Sequence, residues 1–204
     1  MYLPSPGADF ELTPAGTHHA ICIRVIDLGT QESAFNGRKQ HRVRVVWELP
    51  DEIMKDGRPF SASKTYTWSM HKKAALRQHL EAWRGQPFAE KDFGPDGFNI
   101  KNILGKCCTL NVSHDEKNGE TYAFVAAVGK AMKGHVQAPP LNPCLYLWLE
   151  PALFSTQIFE TLGERLRDTI MRSPEFQSIV SGKPLEKPAD DRSPPDDLND
   201  DIPF

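Results

Sequence analysis

Residues 60–84 of the chain, FSASKTYTWSMHKKAALRQHLEAWR, contain the change of pattern on which the fold prediction depends. The first ten of them are rich in Ser, Thr, Tyr and Trp, a content typical of the pleated surface of a strand. After them, Leu76, Leu80 and Trp83 recur at helical spacing, which predicts one apolar face of a helix. Gly85 follows, and glycine commonly ends a helix. We therefore predict a strand followed by a helix.

Further strands are predicted on both sides of this segment. Ile21, Ile23 and Val25 alternate with other residue types, and so do Val43 and Val45, a pattern typical of half-buried strands. The predicted elements are strands at 18–29, 42–49, 60–69, 106–114 and 121–128 and a helix at 71–84. Three strands, a helix and two strands is the order expected of an OB-fold, a five-stranded Greek-key barrel. We expect a mainly β fold of the α+β class, with its helix between strands three and four.

The composition divides the chain into four regions. Residues 1–16 are rich in Pro and Gly and form an irregular lead-in, and residues 17–130 form the barrel. In an extension at 131–181, a helix at 155–173 carries an apolar stripe that packs on the barrel. Residues 182–204 have too few apolar side chains to offset their chain entropy, so we expect a disordered acidic tail. The apolar stripe consists of Ile158, Leu162, Leu166 and Ile170.

The overall composition is that of an ordinary globular protein, with 39% hydrophobic and 25% charged residues among 204. The longest apolar run, at 144–149, is far shorter than the roughly 18 to 20 residues of a membrane-spanning helix. The four cysteines include no C-x-x-C pair, and the first ten residues lack the basic and apolar segments of a secretory signal. We therefore expect a cytoplasmic protein with buried or half-buried free thiols.

Acidic charge is concentrated at the end of the chain. Residues 190–204 contain six Asp and one Arg, out of 27 acidic and 24 basic residues in the whole sequence. The remaining residues therefore hold 21 acidic and 23 basic side chains, a body with a charge of +2. The protein combines a mildly basic body with an acidic tail.

This acidic run ends in apolar side chains. The last nine residues are Asp-Asp-Leu-Asn-Asp-Asp-Ile-Pro-Phe, and exposure of Ile202 and Phe204 gives the chain no folding benefit. A partner with an apolar pocket and basic side chains would bind them, and Pro203 lowers the cost of ordering by limiting the unbound conformations. The predicted partner-binding residues are Asp196, Asp197, Asp200, Asp201, Ile202, Pro203 and Phe204.

The segment Asp200-Asp201-Ile202-Pro203-Phe204 resembles the C-terminal tip of bacterial single-stranded DNA-binding proteins, which recruits replication, recombination and repair enzymes. The usual pattern has a further acidic residue where Asn199 stands in this chain. The body resembles the single-stranded DNA-binding proteins of tailed bacteriophages in residues 25–29 (VIDLG), in residues 63–67 (SKTYT), and in the L-x-x-W-x-G motif at 80–85. The resemblance implies an OB-fold, sequence-tolerant binding of single-stranded DNA, and the cytoplasm of a bacterial host.

The predicted strands carry residue types that suit a single-strand groove. Such grooves combine cations that follow the phosphates with aromatic rings on which bases stack, and in OB-folds they lie on strands two and three and nearby loops. Arg42 and Arg44 share the strand face opposite the valines, whereas Trp47 shares the valine face and is expected in the core. For Tyr66 and Trp68, base stacking and core packing both stay open. The predicted DNA-binding residues are Arg24, Arg38, Lys39, Arg42, Arg44, Lys64, Tyr66, Trp68, Lys117, Tyr122 and Phe124.

Nothing in the sequence points to catalysis. Ser113-His114-Asp115 are chain neighbours that cannot align as a triad, and His18 and His19 lack a third ligand at a useful spacing, so we expect surface histidines. We therefore expect a binding protein with no catalytic residue, metal or cofactor and no membrane contact. Two alternatives stay open, an adaptor of replication or recombination that does not bind DNA and a metal-dependent nuclease. Homo-oligomer formation and RNA binding are open as well.

Overall fold

The computed structural model of the chain describes residues 11–33, 37–93, 97–132, 134 and 139–183. The strands are β1 (Gly16–Glu32), β2 (Lys39–Ile53), β3 (Pro59–Thr67), β4 (Cys107–Lys117), β5 (Glu120–Gly129) and β6 (Leu145–Leu147). The helices are α1 (Ala75–Arg84), α2 (Thr156–Glu160), α3 (Glu164–Met171) and α4 (Pro174–Ser181), with 3-10 turns at Glu90–Asp92 and Ile100–Ile103. The predicted order of three strands, a helix and two strands is confirmed.

The strands form one open, mainly antiparallel sheet in the order β3-β2-β1-β4-β5, with β6 added beside β1. Strand β1 is 17 residues long and contacts three other strands. It pairs with β4 over its first part, Gly16 to Ile21, and with β2 from Ile21 onward. The short β6 runs parallel to Arg24–Ile26 of β1. The β1–β2 ladder shifts its register at Ile23 and again at Leu28. Bulges of this kind bend a strand.

The main core lies between the inner face of the sheet and α1. Val43, Val45, Trp47 and Leu49 alternate along β2 and are at most 1% exposed, so the alternation predicted for this strand is confirmed. Each such buried side chain stabilises the fold by roughly 1.5 to 3 kcal/mol. Helix α1 closes this core with Leu76 and Leu80.

Helix α1 ends where the sequence predicts. Gly85 adopts a left-handed conformation with φ of 77°, and its N–H donates to the carbonyl of Glu81. An L-residue with a side chain would be strained in this conformation. The helix begins at Ala75, four residues after the predicted start at residue 71, because residues 71–73 form turns instead.

The extension differs from the prediction in its helices. The single helix predicted at 155–173 is wrong, because the chain forms the three short helices α2, α3 and α4. Gly163 lies at the N-cap of α3, and Ser173 begins α4 by accepting a hydrogen bond from the N–H of Phe176, with Pro174 in the first turn. The predicted stripe still packs on β1, in a second cluster. This cluster contains Ile26, Leu28, Leu147, Leu149, Ile158, Leu162, Leu166 and Ile170.

Buried carboxylates attach the extension to the sheet. Glu48 of β2 is fully buried and accepts hydrogen bonds from the backbone N–H groups of Leu141 and Asn142, both at 2.8 Å. Asp27 of β1, also buried, accepts a hydrogen bond from the N–H of Leu149 at 3.1 Å. Because an unpaired buried carboxylate is costly, these contacts fix the position of the extension.

Two further expectations need correction. His18 and His19 are buried rather than on the surface, and His18 contacts the carboxylate of Glu52 at 3.0 Å and the carbonyl of Pro14 at 2.9 Å. Cys144 is exposed, whereas the other three cysteines are buried or half-buried as expected. None of the helices in the described part of the chain has the length and apolar character that crossing a membrane requires.

Candidate nucleic-acid interface

The outer faces of β2 and β3 form a strip of cations and hydroxyls. On β2 the inward valines alternate with Arg42 and Arg44, as predicted. Thr67 of β3 lies directly opposite Arg42, and Thr65 lies directly opposite Arg44. Residues directly opposite in a ladder point to the same side of the sheet, so guanidinium and hydroxyl groups share this face.

Arg44 is half-buried in the middle of this strip. Its Nη2 donates a hydrogen bond to Oγ of Ser63 at 2.6 Å. Burial lowers the pKa of its guanidinium, which nevertheless stays charged at neutral pH. Among the described residues no carboxylate forms an ion pair with Arg44. The positive charge therefore lacks an anionic partner within that part of the protein.

Arg24 lies on the same face, one strand away. It pairs across the ladder with Val46 of β2, two residues beyond Arg44. Its Nε is buried and makes no hydrogen bond to any described group. Arg42, at the other end of the strip, donates from Nη2 to Oε1 of Gln40 at 2.7 Å. The structure thus brings three predicted arginines onto one face.

Two predicted binding residues lie elsewhere. Lys64 is directly opposite Val45, so it starts from the core face of β3, and its Nζ donates to the carbonyl of Val125 on β5 at 3.2 Å. Tyr66 is only 2% exposed, and its hydroxyl contacts Nδ1 of His79 at 2.8 Å. Tyr66 therefore lies in the core, one of the two positions that the sequence left open for it, and Lys64 makes a contact within the protein, because their strand face is the one that packs on the core.

Tyr122 and Phe124 form a pair of half-buried rings on β5. They alternate with the buried Val125 and lie opposite Asp115 and Ser113, so they occupy the outer face of this strand. Their ring centroids are 6.1 Å apart. Burial, together with the hydrogen bond from its hydroxyl to Asp115, raises the pKa of Tyr122. The phenol of Tyr122 therefore stays uncharged at neutral pH, and both rings present part of their surface to solvent.

Trp68 belongs to a separate aromatic cluster beyond the end of β3. Its half-buried ring meets the ring of Trp148 edge-on, with centroids 4.9 Å apart. Tyr146 lies parallel to Trp148, at 3° and 5.7 Å, and Nζ of Lys101 lies 5.5 Å from the centroid of Tyr146. Sequence reasoning did not select Lys101, Tyr146 or Trp148. The i and i+2 spacing of Tyr146 and Trp148 was the available signal.

The predicted loop cations lie at hairpin ends. Arg38 and Lys39 are exposed where β1 connects to β2, close in sequence to Arg42. Lys117 is exposed at the end of the β4–β5 hairpin. The predicted partner-binding residues of the acidic tail lie outside the described residues.

In the segments that the structure describes, no three His, Cys, Asp or Glu side chains come together in a way that could hold a metal ion. No protein-family model matches the chain, and the search of curated proteins found no significant match.

Proposed function

We propose that the protein binds single-stranded DNA without sequence preference, protects it during replication, recombination and repair, and recruits partner enzymes through its acidic C-terminal tip. The observation that carries the binding proposal is the pair Arg24 and Arg44. Both are half-buried on one sheet face, and neither has a carboxylate partner among the described groups. A partly buried cation without a counter-charge is costly, and a bound phosphate would supply that charge.

The aromatic residues favour a single strand over a duplex. The rings of Tyr122 and Phe124 are partly exposed on the outer face of β5. A base can stack on such a ring only when it is free of its own partner strand, and stacking tolerates any base. Cations for the backbone and rings for the bases are the two components of a sequence-tolerant single-strand site.

We further propose that the open sheet is an OB-fold barrel. The strand order β3-β2-β1-β4-β5 would become a closed barrel if β3 met β5, and α1 lies between β3 and β4 in sequence as this fold requires. The hydrogen bond from Lys64 to the carbonyl of Val125 joins these two edge strands. In OB-folds the face of strands two and three binds nucleic acid, and Arg42 and Arg44 lie on that face here.

The tail supports the recruitment part of the proposal through its sequence. Four aspartates and the apolar Ile202 and Phe204 stand within its last nine residues. A basic partner surface with an apolar pocket would accept both kinds of group. This interaction needs no contribution from the strand-binding face.

Arginine substitutions test the binding proposal. We expect Arg44→Gln and Arg24→Gln each to weaken the affinity for a fluorescent oligothymidine about 10- to 140-fold, since a hydrogen bond to a charged group contributes about 1.5 to 3 kcal/mol. Each variant should also lower the salt slope of the affinity by about 0.7, because one phosphate contact is lost.

Arg58→Gln is the matched control, because Arg58 is 74% exposed and pairs with Asp56 at 2.6 Å in the β2–β3 connection. It should leave affinity and salt slope unchanged. Equal binding by all three variants and the parent protein would contradict the proposed arginine face, which consists of Arg24, Arg42 and Arg44.

A further inference from the structure

The aromatic cluster at the end of β3 has a buried centre and accessible flanks. Trp148 is 8% exposed and packs in the main core. Tyr146, parallel to it, and Trp68, edge-on to it, are both half-buried. The centre of the cluster is thus a structural element, whereas its two flanking rings can meet a ligand.

The cluster is held rigidly before any ligand binds. Tyr146 lies in β6, where it pairs with Val25 of β1. Nε1 of Trp148 donates a hydrogen bond to the carboxylate of Glu150 at 3.0 Å. Rings that are already ordered lose little conformational entropy on binding, which favours their use as stacking platforms.

A cation lies beside the exposed flank. Nζ of the exposed Lys101 is 5.5 Å from the centroid of Tyr146, within the range of a cation–π contact. A flat base could take the place of the ammonium over this ring, and the ammonium could then reach the phosphate of the same nucleotide. The pairing of a lysine with an aromatic platform is the combination that single-stranded nucleic acid requires.

Nearby acidic groups decide which part of a nucleotide fits against Tyr146. Burial, followed by the charges of Asp27 and Glu150, raises the pKa of Tyr146 to about 12. The phenol is therefore neutral at physiological pH, and the two carboxylates disfavour a phosphate beside its hydroxyl. An uncharged base is not repelled by these carboxylates.

The cluster lies at the end of β3, on the core side of the sheet rather than on the arginine face, because Trp68 has the parity of Tyr66. Trp68 follows Thr67, the residue directly opposite Arg42. The backbone N–H of Trp68 donates to the carbonyl of His41, which precedes Arg42 in β2, at 2.6 Å. A DNA strand on the arginine face would reach Trp68 by passing Arg42 and rounding the end of β3.

We propose that Tyr146, with Lys101 beside it and with Trp68 also packed against Trp148, is a base-stacking subsite on the C-terminal extension, which binds a nucleotide of the strand that the arginine face holds. This inference rests on the proposed function and gives the extension a direct part in binding. It extends the binding path from the sheet to residues after position 139.

Variants of Tyr146 test the subsite with long fluorescent oligothymidine. Stacking on one base contributes about 1 to 3 kcal/mol, so we expect Tyr146→Leu to weaken affinity about 5- to 140-fold. Tyr146→Phe keeps the ring and should keep the affinity. Lys101→Gln, at an exposed position, should weaken affinity several-fold, whereas Lys106→Gln, an exposed lysine of the same segment, should not.

A photo-crosslinking experiment gives a second readout that does not depend on the stability of a variant. Oligothymidine carrying bromodeoxyuridine should crosslink to Tyr146 or Trp68 under ultraviolet light. If the parent protein binds DNA, but Tyr146→Leu and Lys101→Gln bind equally well and no crosslink maps to these rings, the subsite is overturned while the proposed function stands. If the parent protein does not bind, both proposals fail.

Discussion

Lys64 of β3 donates a hydrogen bond to the backbone carbonyl of Val125 on β5, with Nζ and the oxygen 3.2 Å apart. These two strands are the opposite ends of the sheet path. The Lys64 side chain therefore joins β3 and β5, which are not neighbours in the strand order of the described sheet. The contact gives Lys64 a structural role where its charge alone predicts a DNA contact.

Replacing Lys64 by Met should lower the free energy of unfolding by about 1 to 2 kcal/mol, because a hydrogen bond from a charged donor is lost at a partly buried site. Urea unfolding measures this change. Lys55→Met, in the exposed β2–β3 connection, is the control and should change stability by less than about 0.5 kcal/mol. If the two variants were equally stable, this would contradict a structural role for Lys64.

Gly29 of β1 lies against the start of α4. It has φ of +68°, and a Cβ atom there would lie 2.5 Å from Cβ of Ser173 and 2.7 Å from Oε2 of Glu175. We expect Gly29→Ala to destabilise the protein by about 2 to 5 kcal/mol, through backbone strain and displacement of α4. Hydrogen exchange should become faster in α3 and α4.

Gly57→Ala separates the two causes, because Gly57 has φ of +84° but no heavy atom lies within 4 Å of the added carbon. Gly57→Ala should lower the free energy of unfolding by only about 1 to 2 kcal/mol, because backbone strain is its only effect. If hydrogen exchange in α3 and α4 were equally fast in both variants, the close contact at Gly29 would not be what positions the extension.

The ring of His41 couples pH to stability. Burial lowers its pKa, but the hydrogen bond and charge of Asp27, together with the charge of Glu175, outweigh burial and raise the pKa above 6.5. Protonation therefore favours the folded state. The contribution is complete below pH 6.5 and is lost as the pH rises through the folded-state pKa.

The stability difference between the parent protein and His41→Gln should accordingly shrink between pH 6 and pH 9, as measured by urea unfolding. Glu175→Gln removes one of the charges and should lower the midpoint of the His41 titration in NMR spectra. A stability difference that grows with pH would contradict this sign.

The acidic tail should compete with DNA for the arginine face. Deletion of residues 190–204 removes five net negative charges, so we expect affinity for oligothymidine to rise a few-fold and partner recruitment to be lost. Deletion of Phe204 alone should abolish recruitment and leave DNA affinity nearly unchanged. Weaker DNA binding after the deletion of residues 190–204 would show that the tail strengthens DNA binding instead of competing with it.

The sequence contained enough information for the order of elements, because alternation along β2 and the helical spacing of Leu76 and Leu80 are local patterns. It did not determine which face of β3 is inside. Tyr66 and Lys64 share one face by parity, but only packing against β2 and α1 shows that this face is the core one.

The base-stacking subsite was beyond sequence reasoning for a related reason. Lys101 and Tyr146 lie 45 positions apart and meet only because β6 pairs with β1. The i and i+2 spacing of Tyr146 and Trp148 is a local signal, but it is too short to predict a strand or a site by itself. The breaks at Gly163 and Ser173 were local signals, yet the regular apolar stripe across them predicted one continuous helix.

The most direct test of the proposed function is a fluorescence anisotropy titration of labelled oligothymidine with the full chain, repeated with an excess of unlabelled duplex DNA. We predict saturable binding that weakens as salt rises and that the duplex does not displace. Absence of binding, or complete displacement by duplex DNA, would contradict the account, and absence of binding would favour the adaptor alternative.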